Sequence, residues 1–328
     1  MRLNAILVAA SAALAACSAG HAPPVSGRTT IRFATDWRAE AEHGGFYEAL
    51  AEGLYAKQGL DVRIIPGGPS VNVPELVASG AVELGDGSNS FIVMNIANEH
   101  APVKAVAAFM QKDPQVLLAH PDVGVRSLAD MKGRPILLSD ASKTAFWPWL
   151  KTRYGFDDSQ VRSYTFNNAP FIVDHDAIQE GYLTSEPYTI EKDGHFKPVV
   201  FLLADQGYPS YAAMVLAADT LIARNPAAVR AFVEASALGW RDYVEGDPRP
   251  ADALILKDNP DMTEDVLAQA RDKMRQYGLV AGGDAVRLGV GAMTAQHWTD
   301  FFRIASPTGL ANVQAAYTLQ FLPNPPVR

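Results

Sequence analysis

The chain has 328 residues, 48% hydrophobic and 20% charged, and its 36 acidic against 28 basic side chains give a formal net charge of −8. That length exceeds what one hydrophobic core usually serves and predicts two lobes, while the composition excludes wholesale disorder and the acid excess excludes a nucleic-acid backbone as partner. The single cysteine, Cys17, rules out an internal disulfide and a multi-cysteine metal site.

Behind Arg2, residues 3–16 are almost wholly apolar, too few to cross a bilayer and laid out as a secretory signal. The run ends in Leu14-Ala15-Ala16-Cys17, which resembles the lipobox of bacterial lipoproteins, where the cysteine is diacylated and becomes the first residue. The competing reading is a plain signal that leaves Cys17 as a free thiol, a liability in an oxidising compartment. Residues 1–16 are accordingly read as signal peptide and Cys17 as the lipidation site. Residues 17–28, rich in Ser, Ala, Gly and Pro, read as a tether to a bacterial membrane, with the folded part facing the periplasm or the cell exterior.

Thr30 to Ala34 alternates as a half-buried strand, and Phe46 to Ala56 carries apolar residues at helical spacing. Val62–Ile65 is a strand stopped by Pro66-Gly67-Gly68-Pro69, and Ser70 then opens a helix through Val77. Ala81 to Gly85 is a third strand, with Ser88 placed to cap a helix through Asn98. This alternation predicts a parallel sheet. Strands over 103–109 and 115–119 lead out of it into a second block: strand 135–138, helix 144–154, strand 162–165, helix 172–180 and strand 198–202. Strand 212–217 returns to the first lobe, and from Pro226 the pattern is helical to Tyr317, with breaks near Asp247, Asn259, Gly282 and Pro307. The expected division is residues 29–112 plus 212–328 as lobe 1 and 113–211 as lobe 2.

In open parallel sheets ligands sit beyond the carboxyl ends of the strands. The loops there carry the aromatics Trp37, Tyr47 and Tyr188 and the acids Asp36, Asp86, Asp140 and Glu186, against few bases, Arg38 and Lys143. Aromatic faces with carboxylates suit a flat, nitrogen-rich, neutral or cationic ring. The candidate ligand-binding set is Trp37, His43, Tyr47, Gly68, Ser88, Asn89, Ser139, Asp140, Glu186 and Tyr188. Plainer readings stand beside it: Trp37 and Tyr47 as core aromatics, Asp86 as a turn residue, and His43 and Glu186 as helix caps. No Gly-x-Ser-x-Gly elbow, His-Glu-x-x-His or Walker loop occurs, and the seven histidines lack ligand spacing. The expectation is no catalytic residue, no metal and no cofactor.

Phe33-Ala34-Thr35-Asp36-Trp37, then His43 to Leu50, Gly53-Leu54-Tyr55 and Gly59-Leu60-Asp61-Val62, resemble the opening of the SsuA/ThiY-type solute-binding proteins of ABC importers. Val77-Ala78-Ser79-Gly80, Gly181 to Tyr188 and Asn225 to Phe232 are similar to the same family. The resemblance implies an α/β, two-lobe periplasmic binding protein fold (type II), each lobe a mostly parallel sheet flanked by helices, with a helical C-terminal region. It further implies a protein that closes on a small-molecule ligand in the cleft and hands it to an ABC permease in the cytoplasmic membrane; the chain is expected to be a monomer. Thiamine-precursor binders resemble this chain at Trp37 and at the segment around Glu186, where a carboxylate pairs with an aminopyrimidine. Sulfonate, taurine and nitrate binders are the alternative, with helix starts at Ser70, Ser88 and Ser142 to hold an anion. A third branch, the fungal pyrimidine-precursor synthases, shares the fold. Their Schiff-base lysine falls on Ser88 and their reacting histidine on Ile92, so no internal aldimine forms here.

Overall fold

The computed structural model describes residues 27–306 and 312–328. The expected signal peptide, Cys17, the tether before Gly27 and the helix break at Pro307 lie outside the described residues.

Among the described residues, ten strands make two five-stranded sheets. They are β1 (Thr29–Ala34), β2 (Leu60–Ile65), β3 (Leu84–Asn89), β4 (Val103–Met110), β5 (Gln115–Ala119), β6 (Ile136–Leu138), β7 (Val161–Ser163), β8 (Ile178–Tyr182), β9 (Val199–Leu202) and β10 (Ala212–Ala218). The first sheet runs β2-β1-β3-β10-β4 and the second β7-β6-β8-β5-β9. In the first, β1 is parallel to β2 and β3 while β10 opposes β3 and β4. In the second, β6 is parallel to β7 and β8 while β5 opposes β8 and β9. Each sheet is therefore mixed: four strands point one way and the fourth in the order is reversed. The reversed strands flank the two crossovers, since the chain passes from β4 to β5 and returns from β9 to β10.

The β10 sequence shows why this strand is central. All seven of its residues are buried; Ala213, Val215 and Ala217 pack into one apolar cluster, and Met214, Leu216 and Ala218 into the other. Side chains alternate across a strand, so a continuous apolar run is what burial on both faces requires. Helix Pro226–Glu245 covers the first sheet by packing on helix Gly44–Ala51. The approach is close: a Cβ on Gly45 would stand 2.1 Å from the Trp240 ring, and one on Gly239 would stand 2.2 Å from the Gly45 carbonyl oxygen. Those glycines bring the start of the helix, and His43 before it, over the carboxyl end of β1.

Several expected elements shift. The helix expected over 46–56 is broken at Gly53, whose φ is +67°, into Gly44–Ala51 and Leu54–Lys57. The helix after β2 is Val73–Ala78, capped by Asn72, which accepts from the Glu75 N–H, so Ser70 lies outside it. Asn89, not Ser88, caps Ser90–Asn98, accepting from the N–H groups of Phe91 and Ile92. The helix expected over 144–154 is two, Asp140–Thr144 and Trp147–Tyr154, the second opened by Pro148. The largest miss is 172–180: helix Ala169–Val173 ends there and 178–182 is β8, because a short apolar stretch does not reveal its period. Among the described residues no helix is long and apolar enough to cross a membrane.

Candidate functional site

The loop after β1 is anchored at its base. The Thr35 hydroxyl and the Gly67 N–H both donate to the Trp37 carbonyl, at 2.8 and 2.9 Å, and a Cβ on Gly67 would stand 2.2 Å from the Thr35 carbonyl oxygen. This holds Asp36 and Trp37 side by side with opposite tasks. Asp36 turns inward: its Oδ1 lies 2.9 Å from His43 Nε2, and its Oδ2 accepts from the Ser88 hydroxyl. Asp86, on β3, brings Oδ2 to 3.6 Å from the same His43 nitrogen. Asp86 and His43 are buried, and Asp86 Oδ1 and His43 Nδ1 have no hydrogen-bond partner. Glu40, Glu42, Met110, Pro114, Tyr182 and Ala212 close around them, leaving a cavity of about 20 Å³. Glu42 accepts from the Thr184 hydroxyl, a bond between the first sheet's side of the cleft and the second's.

Crowding acids in this way shapes their charge. Burial and the neighbouring Asp36 push the Asp86 carboxyl well above its ordinary range. Burial would raise Asp36 too, but the His43 hydrogen bond and charge, with the Ser88 hydroxyl, hold it below. Glu40 is driven well up by burial and by Glu42, Asp36, Glu186 and Asp86. Asp113, at the first crossover, is raised by burial to about 7, although it accepts from the Gln115 N–H.

The second sheet contributes a different surface. At the carboxyl ends of β7 and β8 lies an opening of about 650 Å³, lined by Tyr164, Phe166, Asn168, Glu186 and Thr189 among others. Glu186 opens helix Glu186–Gly194; its Oε2 accepts from the Tyr182 N–H at 2.7 Å and its Oε1 from the Tyr164 hydroxyl at 3.1 Å. Burial outweighs those bonds and raises this carboxyl to about 7. Asn168 accepts from Gln179 at 2.8 Å and donates to Thr189 at 2.9 Å, which fixes its amide. Phe166 is 53% exposed at φ +60°, a backbone conformation rare for a bulky residue, and its ring centroid lies 4.6 Å from that of Trp37. Two aromatics from opposite sheets thus meet at the mouth of the cleft. Neither the opening nor the cavity is lined by Lys or Arg.

Of the ten residues expected at the site, the structure gathers Trp37, His43, Ser88 and Glu186 along the cleft. Tyr47 turns into the core, buried, with its hydroxyl on Asp258 at 3.0 Å, so the plainer reading of it holds. Asn89 caps a helix. Ser139 caps Asp140–Thr144 and donates its N–H to Glu180 at 2.9 Å, while Asp140 is exposed and paired with Lys143 at 2.7 Å. Tyr188 donates to Asp265 at 2.7 Å across the seam between the sheets, and Gly68 only shapes the turn to Val71. Glu40, Glu42, Tyr164, Phe166 and Asn168 were not expected at the site. Their sole sequence signal was membership of loops at strand ends.

A known family described as NMT1/THI5 like matches residues 40–251. The chain is 26% identical over 326 residues to the riboflavin-binding protein RibY of Chloroflexus aurantiacus, covering 95% of this chain and 91% of that protein. It is 27% identical over 272 residues to a formylaminopyrimidine-binding protein of Halalkalibacterium halodurans, covering 79% and 76%. Its fold matches that of the periplasmic aliphatic sulphonate binding protein SsuA of Escherichia coli with a TM-score of 0.66 at 14% identity, over 88% of this chain and 92% of that one. The architecture is that of periplasmic binding proteins.

Proposed function

The chain belongs to the NMT1/THI5-like family, and from that premise we propose that it is the extracytoplasmic solute-binding component of an ABC importer. Its ligand is a small planar nitrogen heterocycle of the aminopyrimidine kind, taken between residues 29–112 plus 212–328 as one lobe and 113–211 as the other. The observation that carries this reading is the Trp37–Phe166 aromatic pair, drawn from opposite sheets, beside an opening whose lining includes the half-buried acid Glu186 and no Lys or Arg. The half-exposed Phe166 ring, with Trp37 packed against it, offers an aromatic face for stacking to a flat ring, and the acid and amide beside it accept and donate at the ring edge. The two relatives named as a riboflavin-binding and a formylaminopyrimidine-binding protein support the same ligand class.

The acids count against a sulfonate, taurine or nitrate, because an anion would meet Asp36 and a further set of carboxyls with no Lys or Arg in the lining to compensate it. Ser88 in place of an amine counts against a synthase. Leu14-Ala15-Ala16-Cys17 supports anchoring to a bacterial membrane through a diacylated Cys17. Calorimetry of the purified protein with hydroxymethylpyrimidine, riboflavin and taurine tests the reading. A ring compound is expected to bind one to one and taurine not to bind. Heat from taurine alone would overturn it.

A further inference from the structure

We infer that Asp36, His43 and Asp86 form a binding site for one divalent first-row transition-metal ion in the small cavity that they line. One donor atom from each lies within 4.8 Å of the others. The individual separations, 2.9 Å from His43 Nε2 to Asp36 and 3.6 Å to Asp86, resemble the spacing of donors on a shared ion. Bonds of about 2.0–2.2 Å to such an ion put neighbouring donors roughly 2.8–3.6 Å apart, from octahedral to tetrahedral angles.

Three further observations point the same way. Asp86 is 3% exposed and lines the cavity, yet its Oδ1 has no partner, so a buried carboxylate oxygen stands without the donor that burial normally demands. The cavity, at about 20 Å³, has room for one water or a bare ion and none for an organic ring. Its lining holds four carboxylates, Asp36, Glu40, Glu42 and Asp86, with His43 as the sole group able to carry positive charge. A divalent cation supplies the compensation that this enclosure lacks. One imidazole with two carboxylates suits zinc or manganese better than magnesium, which prefers oxygen alone and keeps its waters. Asp36 Oδ2, held by the Ser88 hydroxyl, orients that carboxylate from behind.

The test uses chelator-stripped, dialysed protein with no organic ligand present, so its outcome is independent of ring binding. Titration with Zn²⁺ and Mn²⁺ is expected to show one ion per chain and a rise in Tm. Asp86→Asn and His43→Ala should each weaken that binding by more than about tenfold, a loss that even a supporting residue causes. His175→Ala should leave it unchanged; this exposed histidine stacks 4.4 Å from His120 and controls for adventitious surface binding. X-ray absorption on the loaded wild type, which needs no variant to fold, should show one imidazole among oxygen donors. Absence of a one-to-one ion, absence of imidazole scattering, or binding lost in His175→Ala but kept in Asp86→Asn would each overturn the assignment.

Discussion

The two walls of the cleft are built alike and do opposite things. On the first sheet, the loop after β1, the residue before helix Gly44–Ala51 and strand β3 itself converge, so Asp36, His43 and Asp86 pack against one another. On the second, the loops after β7 and β8 stay open, and Phe166 stands half in solvent over a braced Glu186. Strand ends supply the position in both cases; helix cover decides whether the position becomes a cage for charge or a shelf for a ring. The difference teaches that parallel-sheet geometry names the loops to inspect without naming their chemistry.

If the shelf is where a ring sits, its aromatic residues and the cage must respond separately. Trp37→Ala and Phe166→Ala are each expected to weaken a bound pyrimidine by tenfold to a hundredfold, from stacking of about 1–3 kcal/mol per ring. Neither change should alter metal affinity by more than about threefold. Calorimetry on the two variants, run with the pyrimidine and with zinc, sees this directly, and equal losses on both ligands would dissolve the distinction between the walls.

A smaller effect is expected at Glu186. Its two oxygens already accept from Tyr182 and Tyr164, and its carboxyl is raised to about 7, so at neutral pH it is part protonated. Glu186→Gln keeps an acceptor and should cost ring affinity only about threefold to tenfold. A tightening of taurine in this variant would instead make the second wall an anion site.

The smallest effect concerns pH. Burial raises Glu48, Asp113 and Glu186 to about 7 each in the folded protein, above the ordinary carboxyl value. A carboxyl whose folded value is raised stabilises the fold while it stays protonated, and that contribution is lost as pH rises through about 7. His297, lowered by burial, works in the other direction, since its contribution is lost as pH falls. Glu40 and Asp86, driven up as well, act in the same direction as these three, and with His297 opposing them Tm is expected to drop by a few degrees between pH 5 and 8. Glu186→Gln should remove the share of that slope belonging to the second wall, leaving Glu40, Glu48, Asp86 and Asp113. A melting temperature that climbs over this range would contradict the assignment.

Much of the architecture was legible in residues alone. Alternation in β1, the Pro66–Pro69 stop, the all-apolar β10 and the helical run from Pro226 are local facts, written by the period of side chains and by turn residues. They were enough to predict an α/β chain with two sheets, and to point to the strand-end loops that carry Trp37, His43, Ser88 and Glu186. Local patterns could not say that Ile178–Tyr182 is a strand, because it is buried between β6 and β5 and its neighbours, not its own period, make it extended. Nor could they turn Tyr47 inward toward Asp258, which is 211 residues away in sequence, or set Asp36 beside Asp86 and Trp37 against Phe166. Those contacts depend on strand order and on how the two sheets close. Closure brings together groups whose separation along the chain carries no signal, and it removes the water that would otherwise have kept their charges apart.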